Sequence, residues 1–568
     1  MVKKSNLSFK CTTNLVVWKE KVYNRFQRYT QDYGGMSMYY EQGIWVASAG
    51  DKKLSLLPKM ANRHGLIAGA TGTGKTITLK VMAESFSDCG VPVFLADVKG
   101  DLAGMCKAGQ DSEDMQKRIA KFGLADAGFK YEAYPTCFWD IYGKNGIPLR
   151  TTISEMGPTL LARLMDLNDT QSDILQVVFK IADDNGLLLL DTKDLRAMLQ
   201  YVYENSKEYS AQYGNMAKQS LTAIIRAVVA LEEAGGDKFF GETALNIRDW
   251  FSTGNNGKGT INILDCQSLI NSPMMYSTFM LWMMSELFET LPEAGDADKP
   301  RMIFFFDEAH LLFDDAPKAL LQKIEQVVKL IRSKGVGIYF ITQNPSDIPD
   351  DVLAQLGNKV QHALHAYTPA EKKRVKAAAE SFRENPEFDT MEAISELGIG
   401  EALVSFLDEA GRPSVVEKAK ILPPKSLMGP ISDSDRKKEV EQNVLYMRYE
   451  QEIDRESAYE LLNKRVAEDK AAAEKAKEEA AQQKEEEKQK KLQEKEEEKK
   501  KKQQEKEAEK QKKQKTAVVE KAAKSATGTI GREIGNEIGK KLGGSFGKKI
   551  GGNLGAVLGR GILDTLFK

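Results

Sequence analysis

Gly69, Ala70, Thr71, Gly72, Thr73, Gly74, Lys75 and Thr76 follow one another in the order G-x-x-x-x-G-K-T, a spacing suited to gripping a polyphosphate. The glycines let successive backbone N–H groups converge on the β- and γ-phosphates at the start of a helix, where the helix dipole also favours anions. The Lys75 ammonium would neutralise those phosphates, and the Thr76 hydroxyl would ligate Mg2+. Far downstream, Asp307 and Glu308 end a run of bulky apolar residues that begins at Met302. A buried strand of that kind delivers two carboxylates to the carboxyl edge of a sheet. There Asp307 would hold the metal through its water shell, and Glu308 would orient and deprotonate an attacking water. The adjacent Glu favours hydrolysis over transfer to an acceptor. A third apolar run, residues 337–342, leads into Gln343, whose amide can contact the terminal phosphate or the water and sense the outcome. Asp97 ends another run, either beside the metal's shell or as a loop-bracing carboxylate. His362 and His365 have no third ligand at metal-binding spacing and are expected to pack or hydrogen-bond at a strand end.

These groups can meet only if distant segments become neighbouring strands. From residue 43 to about 416, short β-rich apolar runs alternate with helical patterns, the signature of an α/β fold with a mostly parallel sheet. Strands are expected at 65–68, 91–96, 260–264, 302–306, 336–342 and 359–364, each nearly continuous in apolar residues and so buried on both faces. Between the second and third, the period turns helical. Ile174, Val177, Val178 and Ile181 follow the i, i+3, i+4, i+7 rule, as do Leu195, Met198, Leu199 and Val202, then Leu221, Ile224, Ile225 and Val228. A helical insertion at about 150–255 is the expectation.

The 568 residues carry 81 Lys+Arg against 82 Asp+Glu, so no whole-chain basic field exists and any nucleic-acid contact must be local. Five scattered cysteines without a C-x-x-C pair, and four histidines, exclude a disulfide scaffold and a Cys/His zinc module. No apolar run approaches the ~18 residues of a membrane span, and a cytoplasmic location is expected. Residues 1–37 form an N-terminal arm to which the sequence assigns no role, and the catalytic core is expected at 38–425. After Pro423 and Pro424 a charged helical spacer is expected at 426–525, rich in Glu and Lys and lacking the a/d seam of a coiled coil. In the last segment, 526–568, glycine recurs at every fourth position from Gly531 to Gly559. Each Gly costs ~1 kcal/mol in a helix, so this repeat needs a partner surface or stays a flexible tail. Self-association, docking on a protein, or peripheral membrane contact aided by Lys540, Lys541, Lys548 and Lys549 are the open readings.

The three phosphate-handling elements, in this order, resemble the HerA-FtsK superfamily of RecA-like motor ATPases. The wording of residues 62–76 and of Phe94-Leu95-Ala96-Asp97-Val98-Lys99-Gly100-Asp101 is similar to the bacterial HerA-like (YjgR-type) group, over about residues 38 to 420 and again in the glycine repeat. The resemblance implies a RecA-like P-loop NTPase that uses ATP and Mg2+, a homo-oligomeric and in the family hexameric ring, and helicase-type translocation on double-stranded DNA. A ring ATPase needs an arginine that reaches a neighbour's γ-phosphate. Arg332 is the first candidate and Arg374 the second. Asp307-Glu308-Ala309-His310 also spells a DEAH helicase motif, but no Q-x-x-G-R-x-x-R follows, and the L-S-G-G-Q of ABC ATPases is absent. An alternative use of the same ATPase is a nucleotide-controlled assembly or scaffold protein that docks through its glycine repeat without DNA activity. A small-molecule kinase is the weaker third reading.

Overall fold

The computed structural model describes residues 43–516 apart from 296 and 315; the N-terminal arm and the glycine repeat lie outside the described residues. Twelve strands form one sheet: β1 Ile44–Ala49, β2 Lys52–Leu56, β3 Gly65–Ala68, β4 Val93–Asp97, β5 Thr136–Asp140, β6 Ile147–Pro148, β7 Ile261–Asp265, β8 Met302–Phe306, β9 Val336–Thr342, β10 Asn358–Gln361, β11 Glu401–Ser405 and β12 Glu417–Ile421. Their order across the sheet is β2-β1-β12-β11-β10-β3-β9-β8-β4-β7-β5-β6. From β10 to β6 every pairing is parallel, whereas β11, β12, β1 and β2 add an antiparallel wing. The fold is the expected α/β class, with a mostly parallel sheet around the P-loop strand. Three expected strands coincide with β3, β8 and β9, and three others shift by one to three residues at an end to become β4, β7 and β10.

The six remaining strands were not foreseen. β12 alternates buried Ala419 and Ile421 with less buried neighbours, because one of its faces meets water. Such a strand carries no continuous apolar run. β8 and β9, by contrast, are buried along their whole length, and their phenylalanines stack across the pair, Phe306 against Phe340 at 5.8 Å.

Helix α1 (Lys75–Asp88) follows β3, and α2 (Glu113–Lys121) follows the loop after β4. Between β6 and β7 the chain runs through α3 (Ile153–Leu164), α4 (Asp169–Asp184), α5 (Thr192–Glu204), α6 (Ser206–Tyr213) and α7 (Lys218–Leu231). Three of these start at reciprocal caps, Thr152 with Glu155, Asn168 with Gln171 and Asp191 with Asp194. Ile174, Val178 and Ile181 on α4, Leu195, Met198, Leu199 and Val202 on α5, and Leu221, Ile224 and Val228 on α7 are all buried. Their 3.6-residue spacing puts them on one face of each helix.

Packing continues beyond the break at Pro423 and Pro424. The first compact unit runs to Glu468. Lys80, Glu84 and Asp88, one turn apart on the buried face of α1, clasp the segment that follows the prolines. The Lys80 ammonium donates to the Leu427 carbonyl at 2.7 Å. Glu84, fully buried, accepts the backbone N–H groups of Lys425 at 2.7 Å and Ser426 at 3.0 Å together with the Ser426 hydroxyl at 2.5 Å. Asp88 pairs with the ammonium of Lys425 at 2.8 Å. Next comes α8 (Asp433–Glu441), where Arg436 meets Asp265 at 3.3 Å with both side chains buried. Tyr449 then inserts its ring 5.9 Å from that of Trp139. A change in composition thus marks a change in surface chemistry while the core goes on. In the second compact unit, which starts at Asp469, the described side chains of the helix Ala458–Thr516 are exposed and carry i, i+4 pairs such as Lys502 with Glu498 at 2.6 Å. Among the described residues no helix is long and apolar enough to cross a membrane.

The Tyr449 hydroxyl donates to Asp249 at 2.6 Å and accepts the Asn246 N–H at 3.1 Å. Tyr449→Phe leaves that N–H without its acceptor, and urea denaturation should show a loss of about 1–3 kcal/mol. An unchanged midpoint would mean that the segment after the prolines is not held by this contact.

Candidate active site

The phosphate-type loop rises from the carboxyl end of β3, between β9 and β10. The Gly69 N–H donates to the Thr342 carbonyl at 3.3 Å, the Ala70 N–H to the Ala363 carbonyl at 2.8 Å, and the His362 N–H to the Ala68 carbonyl at 2.7 Å. A Cβ on Gly69 would sit 2.5 Å from the His362 Cβ, which leaves glycine as the residue that fits. Gly74 caps α1 at φ 118°, and no side chain fills the cap. The first backbone N–H groups of α1 therefore have neither an intrahelical acceptor nor a side-chain one, the condition for receiving an anion. Thr71 and Gly72 are exposed at the loop's crest. The buried Lys75 ammonium turns back onto the carbonyls of Gly69 at 2.6 Å and Ala70 at 3.1 Å. Burial holds its pKa below the ordinary lysine value, while the charges of Glu308 and Asp307 oppose that shift and Lys99 adds to it.

β9 lies between β3 and β8, so the ends of all three meet at one edge. Asp307 and Glu308 follow β8, and both are buried. Glu308 has left-handed backbone angles, φ 48° and ψ 52°, a conformation costing a non-glycine residue about 1–3 kcal/mol and concentrated at functional sites. Its Oε1 lies 2.6 Å from the Lys99 ammonium. Its Oε2 accepts from the Gln343 amide at 3.3 Å and lies 3.4 Å from the His310 ring nitrogen Nδ1. Burial pushes Glu308 up, yet the Lys99 hydrogen bond and charge, with the Gln343 bond and the Lys75 charge, bring it below the usual glutamate value. Asp307 goes the other way, pushed up to about 6 by burial against the opposing charge of Lys99.

Of the residues expected to act together, the structure gathers Lys75, Asp307, Glu308 and Gln343. Asp97 accepts the N–H groups of Gly100 at 2.7 Å and Leu102 at 3.2 Å, the loop-bracing arrangement. Arg332 is exposed in the turn Ile331–Lys334 before β9, at the opposite edge of the sheet. The seven residues of β9 put roughly 20 Å between that turn and the loop. Arg374 is exposed on the helix Pro369–Glu380, and His365 is exposed too. Sequence reasoning missed Lys99, though a lysine two residues past a strand-end aspartate was the available signal. It also missed the brace formed by Gly400, whose N–H donates to the Thr73 carbonyl at 3.0 Å. Gly400 separates the loop from a cavity of about 390 Å3 lined by Arg118, Lys121, Phe122, Ile399, Glu401 and Lys420 among others.

Among the described residues no group of three or more His, Cys, Asp or Glu could hold a metal by itself. The donor set still fits Mg2+, which takes one or two carboxylates and leaves its remaining positions to water and phosphate. Asp307 is a crowded, desolvated carboxylate, and nearby Asp101 has a buried Oδ1 without a hydrogen-bond partner among the described residues. A cation offsets that surplus of negative charge.

His362 ties the loop helix to β11: its Nε2 bonds the Thr78 hydroxyl at 2.8 Å, and its Nδ1 donates to the Glu401 carbonyl at 2.9 Å. Burial lowers its pKa to about 4. The unfolded chain binds the proton first, so this histidine withdraws stability as the pH falls from about 6.5 to about 4. Over that window wild type should lose about 1.4 kcal/mol more per pH unit than His362→Gln, measured by urea denaturation. Parallel slopes would refute the neutral, buried assignment. His64, also lowered to about 4 by burial, is present in both proteins and cancels.

The DNA double-strand break repair helicase HerA of Saccharolobus solfataricus is 22% identical over 351 residues, 60% of this chain and 61% of that protein. The protein of that name from Sulfurisphaera tokodaii is 20% identical over 374 residues, 62% of this chain and 64% of its own. The chain thus spans less than two thirds of the length of either relative. Among solved structures, the bacterial conjugative coupling protein TrwBdeltaN70 is similar at 14% identity and TM-score 0.46, covering 70% of this chain and 92% of that one. VirB4 of Thermoanaerobacter pseudethanolicus is similar at 16% identity and TM-score 0.44, covering 68% and 98%. A family model, helicase HerA-like C-terminal, matches residues 44–550, and since that span takes in the loop, the paired acids and the strand before Gln343, the chain belongs to this HerA-like family.

Proposed function

We propose that the chain is a Mg2+-dependent ATPase that works as a HerA-like motor, coupling hydrolysis to translocation on double-stranded DNA as a homo-oligomer. One observation carries the ATPase reading: the loop that bears Lys75 and the Asp307–Glu308 pair, far apart in sequence, follow β3 and β8 on either side of β9 at one edge of the sheet, where α1 offers its uncapped N–H groups. The loop amides and Lys75 hold the phosphates. The Thr76 hydroxyl and Asp307 hold Mg2+, which when bound neutralises charge developing on the phosphate oxygens. Glu308 takes the proton of the attacking water, and Gln343, already bonded to Glu308, reports whether the terminal phosphate is present. Arg332, across the sheet from its own loop, acts as a finger on the site of a second copy. Family membership supports the DNA-directed and oligomeric parts of this reading.

Glu308→Gln should keep ATP binding and lose at least a hundredfold in phosphate release, on the order expected for loss of a general base, whereas Lys75→Ala should lose both. Near wild-type hydrolysis in the two variants would refute the assignment. Duplex DNA should raise phosphate release by the wild-type protein, and the stimulation should fall steeply with added salt. Hydrolysis indifferent to DNA at low salt would leave the ATPase and remove the motor, favouring the assembly reading.

A further inference from the structure

Lys99 sits in the loop after β4, which the Asp97 carboxylate pins through the N–H groups of Gly100 and Leu102. β4 runs parallel to β8 with Ala96 beside Phe306, so this loop emerges next to Asp307 and Glu308. The Lys99 ammonium rests on Glu308 Oε1 at 2.6 Å, and the other oxygen is engaged by Gln343 and lies near His310. A water giving its proton to Oε1 must compete with this ammonium for the oxygen, and Oε2 is already shared with the Gln343 amide. The two partners differ in freedom: the Lys99 side chain is 44% exposed and the Glu308 side chain 6%. The lysine has open space around its flexible stem, whereas the glutamate is packed in. Lys99 and Gln343 meet on Glu308, and Gln343 follows β9, the strand beside the one that carries the phosphate-type loop, so the ammonium lies at the same edge of the sheet as the loop that would hold a terminal phosphate.

We propose that Lys99 is a positioning residue shared between Glu308 and the terminal phosphate of a bound nucleoside triphosphate, a switch that frees the base only when there is a bond to cut. This rests on the ATPase reading above. A terminal phosphate carries more negative charge than one carboxylate and offers several oxygens, so it draws the mobile ammonium away. Glu308, released on Oε1, accepts a proton from water as the water oxygen bonds to the terminal phosphorus. The bridging P–O bond breaks, its electron pair leaves on ADP, and inorganic phosphate carries the new oxygen. A diphosphate does not reach Lys99, and the Lys99–Glu308 pair re-forms.

The test compares binding of ATP and ADP, with Mg2+, to wild type, Lys99→Met, Lys99→Gln and Lys99→Arg, alongside phosphate release. Lys99→Met and Lys99→Gln should weaken ATP binding about tenfold, the effect of losing one charged hydrogen bond, with ADP binding within about twofold of wild type. Lys99→Arg should restore most of the preference for ATP. In a Glu308→Gln background, where Lys99 is no longer held by a charge, ATP should bind several-fold tighter than to wild type. Equal weakening for both nucleotides, or no change for either, overturns the switch. If Glu308→Gln itself hydrolyses at the wild-type rate, the ATPase reading fails instead, and the two failures are told apart.

Discussion

Charge taken out of water must be paired, and at one edge of this sheet the pairing is internal to the site. Lys75, Lys99, Asp307 and Glu308 are each shifted from their ordinary titration by burial and then by one another. Removing any one leaves another charged group short of its partner, which in a buried setting costs more than the lost attraction alone. The residues come from three loops, and a parallel sheet is what brings those loops together, because all its strands end on the same side. β9 between β3 and β8 spaces the lysine-bearing loop from the acids and sets Gln343 in the gap.

The loop and the acids were legible because their chemistry leaves little choice of residue or order. Glycines, a lysine and a hydroxyl must be contiguous to cradle phosphate, and the two acids that end a five-residue apolar strand were read together with that loop. Lys99 was not legible as a partner. Its role depends on which strands are neighbours, and adjacency of β4 and β8 is not written in either segment. β12 in the antiparallel wing was missed for a different reason: Lys418 and Lys420 lie on its more exposed face, and an alternating strand with water on one side imitates a loop in composition. The helical insertion was readable from period alone, since Leu195, Met198, Leu199 and Val202 have no function beyond filling the interior.

Arg332 shows how a strand separates groups that the sequence sets close together. It stands directly before the strand that ends at Gln343, yet a strand has two ends, and residues flanking it on opposite sides are separated by its full length. Proximity in sequence across a strand is distance in space. The same geometry explains why the site's true neighbours, Lys99 and the Gly400 brace, come from segments the motif does not contain.

Helix α1 begins with the lysine of the phosphate-type loop and carries on one flank the Lys80, Glu84 and Asp88 clasp. Its fourteen residues make a rod of about 21 Å that does not stretch, because its own hydrogen-bond ladder resists deformation. The clasp runs along it from Lys80 to Asp88, so a tilt of the rod carries residues 425–427 with it unless several buried contacts rupture together. The phosphate-type loop and the post-proline strap are in this sense mounted on a single crank.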